Sequence, residues 1–321
     1  MSLANAVTRN LRQLAQRTGL AKSARYRLFD IELKQRITVS PSLTRFVFTG
    51  ADVHLMNTLA PDQRVKLLFP GPDGTPPQLP HHDDWHQALR SLEPQRKPPM
   101  RTYTIRSLRS AQAEVDVEFV LHGENGPASR WATHARPGDR LQMVAPDGES
   151  AGDPGGYEWQ PPAGIRHVLL IGDETALPAI AGILEALADW PQPPAVQAFI
   201  EVPHAADRQT LRQPGTAEVN WLVRDELALE HGAGMRHAVL RLALLPASAA
   251  RAKGRQTIEE VDIETQILWD RAKPADSEFY AWVAGESAAV MSIRRYLVGE
   301  LGLDRRALTF MGYWRLGRAL E

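Results

Sequence analysis

The sequence predicts two domains, an antiparallel six-stranded β-barrel followed by an α/β domain with an open parallel sheet. Three observations carry this. Residues 26–150 consist of short segments in which apolar and polar residues alternate, bounded by Pro, Gly or Asp, with few helical stretches between them. From about residue 163 the pattern becomes strand–helix alternation built on continuous apolar runs. Between the two lies the Pro/Gly-rich stretch "DPGGYEWQPPAG", 153–164. The expected division is an N-terminal helical extension over 1–25, the barrel over 26–152, a linker over 153–163 and the sheet domain over 164–321.

The elements follow in order. Residues 4–22 read as an amphipathic helix, with Leu11, Leu14 and Ala15 at helical spacing among arginines. A packing or dimer-contact extension accounts for it better than a membrane role. "DIELKQRITVSPSLTRFVFTG" gives two strands broken at Ser40-Pro41, and "QRVKLLFP", "MRTYTIRSL", "EVDVEFVLH" and "DRLQMVAP" give four more. Residues 70–100, rich in Pro, His and Asp, read as a long loop. "HGENGPASRWATHARPGD" holds the one helix expected in this half. In the second half "IRHVLLIG", "AVQAFIEV", "EVNWLVR" and "EFYAWVAGE" read as strands, with helices over 178–188 and about 287–300.

Composition narrows the functions available. The 321 residues carry 37 basic and 38 acidic side chains, so no electrostatic footprint of a nucleic-acid binder is present. The absence of cysteine excludes disulfides, thiolate-bound zinc, cysteine-bound iron–sulfur clusters and a cysteine nucleophile. Redox chemistry would have to come from a bound organic cofactor or a metal on other ligands. Arg9 and Arg12 interrupt any apolar stretch near the start, and 176–184 is too short to cross a bilayer. The expectation is a cytoplasmic enzyme with no membrane insertion.

Three stretches carry chemistry. In "RTYTIRSLR" (101–109) the strand period places Arg101, Tyr103 and Ile105 on one face and Thr102, Thr104 and Arg106 on the other. A cation beside an aromatic ring suits a ligand with an anionic end and a flat ring, and it equally suits a half-exposed strand whose arginine covers its tyrosine. "HGENGPASRWA" turns through Gly123 and Gly126 into Pro127, either an ordinary helix start or an anion site made of free amides and the helix dipole. "LLIGDETALPAI" places Gly172, Asp173, Glu174, Thr175 and Ala176 at the carboxyl end of a parallel strand, where open α/β sheets bind nucleotides. The acidic pair opposes a cradled phosphate and fits better beside a nicotinamide or ribose. Glu201 ends the next strand where an acid could hold ribose hydroxyls, and Arg208 lies close enough to meet a 2′-phosphate.

Together "RTYTIR" (101–106), "HGENGPASRWA" (122–132), "IGDETALPAI" (171–180), "WVAGES" (282–287), the terminal "GYWRLGRA" (312–319) and "DQRVKLLFP" (62–70) resemble the siderophore-interacting protein family of flavin-dependent ferric-siderophore reductases. The resemblance implies a ferredoxin-reductase-like pair of domains, an FAD-binding barrel and an NAD(P)H-binding sheet. It implies that Arg101 contacts FAD phosphate, Tyr103 stacks on the isoalloxazine and Thr104 lies near its reactive nitrogen. It also implies that Gly126, Pro127 and Ala128 face the pyrophosphate, with His122 beside them, and that Tyr313, Trp314 and Arg315 close over the flavin region. Asp173, Thr175 and Ala176 complete the cofactor set. Read from the residues alone, "GYWRLG" is a packed terminal aromatic pair.

The activity so implied is reduction of a ferric siderophore, with NADH or NADPH as donor and release of ferrous iron. It needs no general acid or base and no protein-bound metal. Many ferric siderophores are anionic, so Lys66, Arg106 and Arg315 are expected substrate contacts, whereas Arg109, just beyond the motif, is expected to matter little. The histidine-rich "LPHHDDWHQ" (79–87) reads as a solvated loop near the substrate rather than a metal site, since adjacent His81 and His82 converge poorly on one centre. The alternatives are a flavin reductase serving a protein partner such as ferredoxin, and a non-catalytic carrier of ferric siderophore.

Overall fold

The computed structural model describes residues 25–71, 73–80, 85–121, 123–124, 126–246, 249, 261–263, 266–273 and 277–317. The expected helix over 4–22, His122 and the His81-His82 pair lie outside these. The chain forms two compact units. The first takes residues up to Ile37, Arg45–Leu59 and Gln63–Tyr157, and the second takes Thr38–Thr44, Ala60–Asp62 and everything from Glu158. The expected linker therefore splits between them, and two short segments of the first half belong to the second unit.

The first unit is a closed antiparallel barrel of six strands: β1 (Tyr26–Thr38), β2 (Leu43–Thr49), β3 (Arg64–Leu68), β4 (Met100–Arg109), β5 (Glu114–Val120) and β6 (Arg140–Pro146), joined in the order β1-β2-β5-β4-β3-β6. Each falls on a segment whose alternation predicts it. Inward positions such as Phe29, Ile31, Phe46, Val65, Ile105 and Phe119 fill the interior. β4 carries a bulge between Ile105 and Ser107, which interrupts the strict two-residue alternation at Arg106.

Residues 70–100 are more ordered than the sequence suggests. Helix α1 (Trp85–Ser91) brings a fully buried Trp85 together with Leu79 onto Tyr26, Leu28, Leu68 and Val144, the outward residues of β1, β3 and β6. An apolar outer face on three strands needs such a cover, because strands exposed to water on one side alternate with polar residues. Helix α2 (Pro127–His134) is the one expected in this half.

The second unit holds β7 (His167–Gly172), α3 (Leu177–Ala188), β8 (Ala195–Val202), β9 (Ala217–Val223), α4 (Ala233–His237), β10 (Trp269–Asp270), β11 (Phe279–Glu286), α5 (Ser287–Arg294) and β12 (Leu308–Trp314). The sheet order is β10-β12-β11-β7-β8-β9, with all pairs parallel except the two-residue edge strand β10. The sheet is thus mixed rather than wholly parallel. β12 is the main departure from the sequence reading, because the residues taken as a terminal aromatic pair end a buried strand. The helix expected over 287–300 is α-helical to Arg294 and continues as a π-helical turn to Glu300. One sheet face packs Leu169, Ile171, Phe199 and Val283 against Met235 of α4 and Val290 of α5.

Candidate functional site

In the barrel, the two motifs of the first half meet through aromatic packing. β4 aims Tyr103 and Ile105 at the core, as its period requires. Tyr103 stacks on Phe119 at 4.2 Å between centroids and 29° between planes, and meets Phe69 edge-on at 6.4 Å. Burial pushes its hydroxyl pKa up, with the Arg101 charge pulling weakly the other way. Phe119 in turn lies 6.0 Å from Trp131 of α2, which also packs on Phe46 at 5.5 Å. Ala128 and Ala132 sink into the same core, so the start of α2 is held against the strand that carries Tyr103.

That start has no side-chain cap. Gly126 occupies the cap position in an extended conformation, and a Cβ there would meet nothing within 4 Å. The first-turn amides of Ala128 and Ser129 thus lack a capping side chain, which leaves them as donors for an external anion. Arg101 is partly buried and donates from Nη1 to the Met100 carbonyl at 2.8 Å. Among the described residues no carboxylate pairs with it. A guanidinium has five N–H donors, so most of this one is left for a ligand. These features fit an FAD diphosphate and ring. Thr104 is buried on the outward side, opposite Arg64 in the ladder.

The cations expected to meet substrate divide into two kinds. Arg106 is paired with Glu118, which also binds Arg45 at 2.6 and 3.0 Å, and Arg315 is paired with Glu286 at 2.8 Å. Both already have a carboxylate partner. Lys66 has the Thr102 hydroxyl at 3.2 Å and no carboxylate partner among the described residues. Burial, assisted by the nearby Arg64 charge, lowers its pKa to about 8.

The carboxyl ends of the sheet strands carry a second cluster. Asp173 is completely buried and accepts from the Thr175 amide at 3.0 Å, the Glu286 amide at 2.8 Å and the Trp314 indole at 2.8 Å. His231 Nε2 stands 3.4 Å from the same Oδ2. Gly285 has φ +145°, and a Cβ there would stand 2.7 Å from that oxygen, so the close approach requires glycine. Glu174 binds Arg224 through two hydrogen bonds of 2.8 and 2.9 Å.

Two expectations are corrected here. Glu201 is fully buried and accepts from the Gly232 amide at 2.7 Å, the Met235 amide at 3.0 Å and Arg224 at 3.1 Å, so it anchors α4 instead of standing open at the strand end. Arg208 is paired bidentately with Glu226. Asp173 and Ala176 are buried as well, while Thr175 is partly exposed and Tyr313 stacks near Trp269 at 6.1 Å. Sequence reasoning missed Glu286, Arg224 and His231. A charged residue closing a largely apolar strand run, as Glu286 in "WVAGE" and Arg224 in "EVNWLVR", is the signal that marks the first two.

Family models decide the relationship. The siderophore-interacting FAD-binding domain matches residues 32–150, and the siderophore-interacting protein model matches residues 165–317. This chain belongs to the siderophore-interacting protein family. Within the family it is similar to the ferric vibriobactin reductase ViuB of Vibrio cholerae, 28% identical over 297 residues, covering 92% of this chain and 91% of that one. It is also similar to the NADPH-dependent ferric-chelate reductase of Escherichia coli, 27% identical over 279 residues, covering 86% and 88%. A siderophore utilization protein from T. fusca superposes with a TM-score of 0.67 at 29% identity, over 92% of this chain and 95% of that one. The ferredoxin reductase of carbazole 1,9a-dioxygenase shares the fold at a TM-score of 0.55 and 17% identity, over 89% and 69%. The barrel of this siderophore-interacting protein is thus an FAD-binding domain in a ferredoxin-reductase-like fold. Among the described residues no helix is long and apolar enough to cross a membrane.

Proposed function

We propose that the protein is an FAD-dependent ferric-siderophore reductase that draws electrons from NADH or NADPH and frees iron as Fe(II). The observation that carries this is the aromatic chain Tyr103–Phe119–Trp131, which fixes a free guanidinium and an uncapped helix start on one barrel. The ferric reductases among its relatives support the substrate class, and the E. coli relative supports a pyridine-nucleotide donor.

The chemistry a bound flavin supplies is conversion of a hydride pair into single-electron transfers. The residues do the rest. Arg101 and the amides of Ala128 and Ser129 bind the diphosphate, while Tyr103, locked by Phe119, offers a preset ring for stacking. Thr104, in the same strand, orients the ring edge, and Lys66 draws in an anionic chelate. Ferric iron prefers hard oxygen donors, so reduction weakens the complex and no acid or base is required. Thr175 and Trp314, held by the buried Asp173, lie at the carboxyl ends of the sheet strands, where the nicotinamide nucleotide would dock.

The test is direct. The purified protein is expected to be yellow, to release FAD on denaturation, and to form a ferrous complex in a trap assay when given a ferric siderophore with NADH or NADPH. A colourless protein that takes up no FAD, or siderophore binding without turnover under either donor, overturns the proposal.

A further inference from the structure

The turns that follow β8 and β9 carry a set of charges that the reaction has not yet used. After β8 the chain passes through His204 and the short helical turn Ala205–Asp207 to Arg208. Asp207 fixes this turn from beneath, accepting from the His204 amide at 3.0 Å and from Ser40 Oγ and Ser42 Oγ at 2.6 and 2.9 Å. β9 ends in a single helical turn, Arg224–Leu227. The two turns are joined by the Asp225 amide donating to the Pro203 carbonyl at 3.2 Å. Side chains join them again. Arg208 is paired bidentately with Glu226, and His204 Nδ1 stands 2.6 Å from Asp225 Oδ2, all four side chains being exposed. The third cation, Arg224, is committed inward to Glu174 and Glu201. Among the described residues of these turns, no cation lacks a carboxylate partner.

Dinucleotide-binding α/β folds place the adenosine ribose near the end of the strand that follows the first, where an acid accepts from its hydroxyls or an arginine receives a 2′-phosphate. The sheet runs β12-β11-β7-β8-β9 on this side. With the nicotinamide end at Thr175 and Trp314, the other end of the nucleotide lies toward β8 and β9.

We propose that the electron donor is NADH rather than NADPH, and that Glu226 is the specificity-determining residue, holding Arg208 away from a 2′-phosphate while Glu226 and Asp225 accept from the ribose hydroxyls. This rests on the donor reading above and narrows it.

The acceptors are available. A carboxylate offers about four acceptor sites; among the bonds described here, Glu226 uses two and Asp225 one. A 2′-phosphate, by contrast, must displace Glu226 from the guanidinium. That exchanges one anion for another and leaves Glu226 unpaired beside the new charge, with Asp225 adding to the repulsion. A neutral hydroxyl meets no such penalty.

The experiment uses the FAD-loaded full chain with NAD+ and NADP+, which bind without turnover, and reads their dissociation constants by titration calorimetry. The unmodified protein should bind NAD+ about five-fold or more tightly than NADP+, the effect of one unit charge about 4 Å away in water. Glu226→Gln frees Arg208 and should tighten NADP+ by about the same factor, with a smaller change for NAD+. Being exposed, the pair can be replaced without loss of the fold, and the gain should shrink as added salt screens it. Glu226→Gln combined with Arg208→Ala restores the local charge balance and should abolish the gain. NADP+ binding as tightly as NAD+, no gain in Glu226→Gln, or a gain that persists without Arg208 would each overturn the proposal. The donor reading is tested separately by the same titrations: binding of neither nucleotide removes it and this inference with it, whereas equal binding of both leaves it standing and sinks only the preference for NADH.

Discussion

Arg224 meets Glu174 through paired hydrogen bonds of 2.8 and 2.9 Å at a depth where both side chains are largely buried, and the same guanidinium reaches Glu201 at 3.1 Å. One cation thus serves two carboxylates. Arg224→Met should cost about 3–5 kcal/mol, because two buried charges lose their partner. Burial, with the Asp173 charge adding to it, already raises the Glu174 carboxyl against the pull of Arg224. A raised acid takes up a proton as pH falls, which removes the unpaired charge. The gap between wild-type and variant melting temperatures should therefore narrow from about pH 8 to about pH 5.5; a constant gap would show that the carboxylates do not carry the effect.

Arg101→Ala should weaken FAD binding by roughly ten- to a hundredfold, the equivalent of about 1.5–3 kcal/mol for a charge-assisted contact. Its thermal stability should fall and recover largely in saturating FAD, through linkage. Arg140, exposed and paired with Glu32, is the matched control, and Arg140→Ala should leave FAD affinity unchanged. Titration of apo-protein with FAD for both variants decides it, and equal affinities would reduce Arg101 to a surface residue.

Arg109 is not the bystander the sequence suggests. It binds Asp116 through two hydrogen bonds of 2.6 and 2.8 Å and Glu114 at 3.0 Å, and Asp116 is buried. Arg109→Ala should cost about 1–3 kcal/mol in chemical denaturation by stranding that carboxylate. FAD affinity of the folded variant should be unaltered. A stability change within about half a kcal/mol would contradict the pairing.

Lys66 should give the reaction a pH signature. With its pKa lowered to about 8, chiefly by burial, the ammonium is charged below that pH and lost above it, well before the ordinary 10.5. KM for an anionic ferric siderophore should rise as pH passes through about 8, with kcat little changed, the mark of a uniform binding contact. Lys66→Ala should show the high KM at every pH, and Lys66→Arg should keep the low one. An identical pH profile in all three proteins would exclude the lysine from substrate binding.

The barrel was legible because each strand alternates and each turn is punctuated, so the six segments could be read one at a time. The inward face of Tyr103 and the helix start after Gly126 were legible for the same local reason. β12 was not, since "LTFMGYW" is buried on both faces and shows no period. The strand-end cluster was hidden more deeply. Asp173 lies 58 residues from His231 and 141 from Trp314, and Glu174 lies 50 from Arg224. Such pairings have no local trace. The acidic pair Asp173-Glu174 was noticed, but its direction, inward to partners rather than outward to a ligand, depends on residues that only folding brings near.

Membership of Thr38–Thr44 and Ala60–Asp62 in the second unit bears on how this protein can be taken apart. Asp207 receives Ser40 Oγ at 2.6 Å and the Ser42 amide at 2.8 Å, and Asp62 receives the Glu158 and Trp159 amides at 2.9 Å and the Trp282 indole at 3.2 Å. A gene fragment beginning at residue 158 encodes none of those early serines, nor Asp62, and would strand Asp207 and the buried Trp282 indole. The sheet unit is therefore not a detachable module: swapping it between relatives along the visible linker would graft a half that has left its fastenings behind in the other.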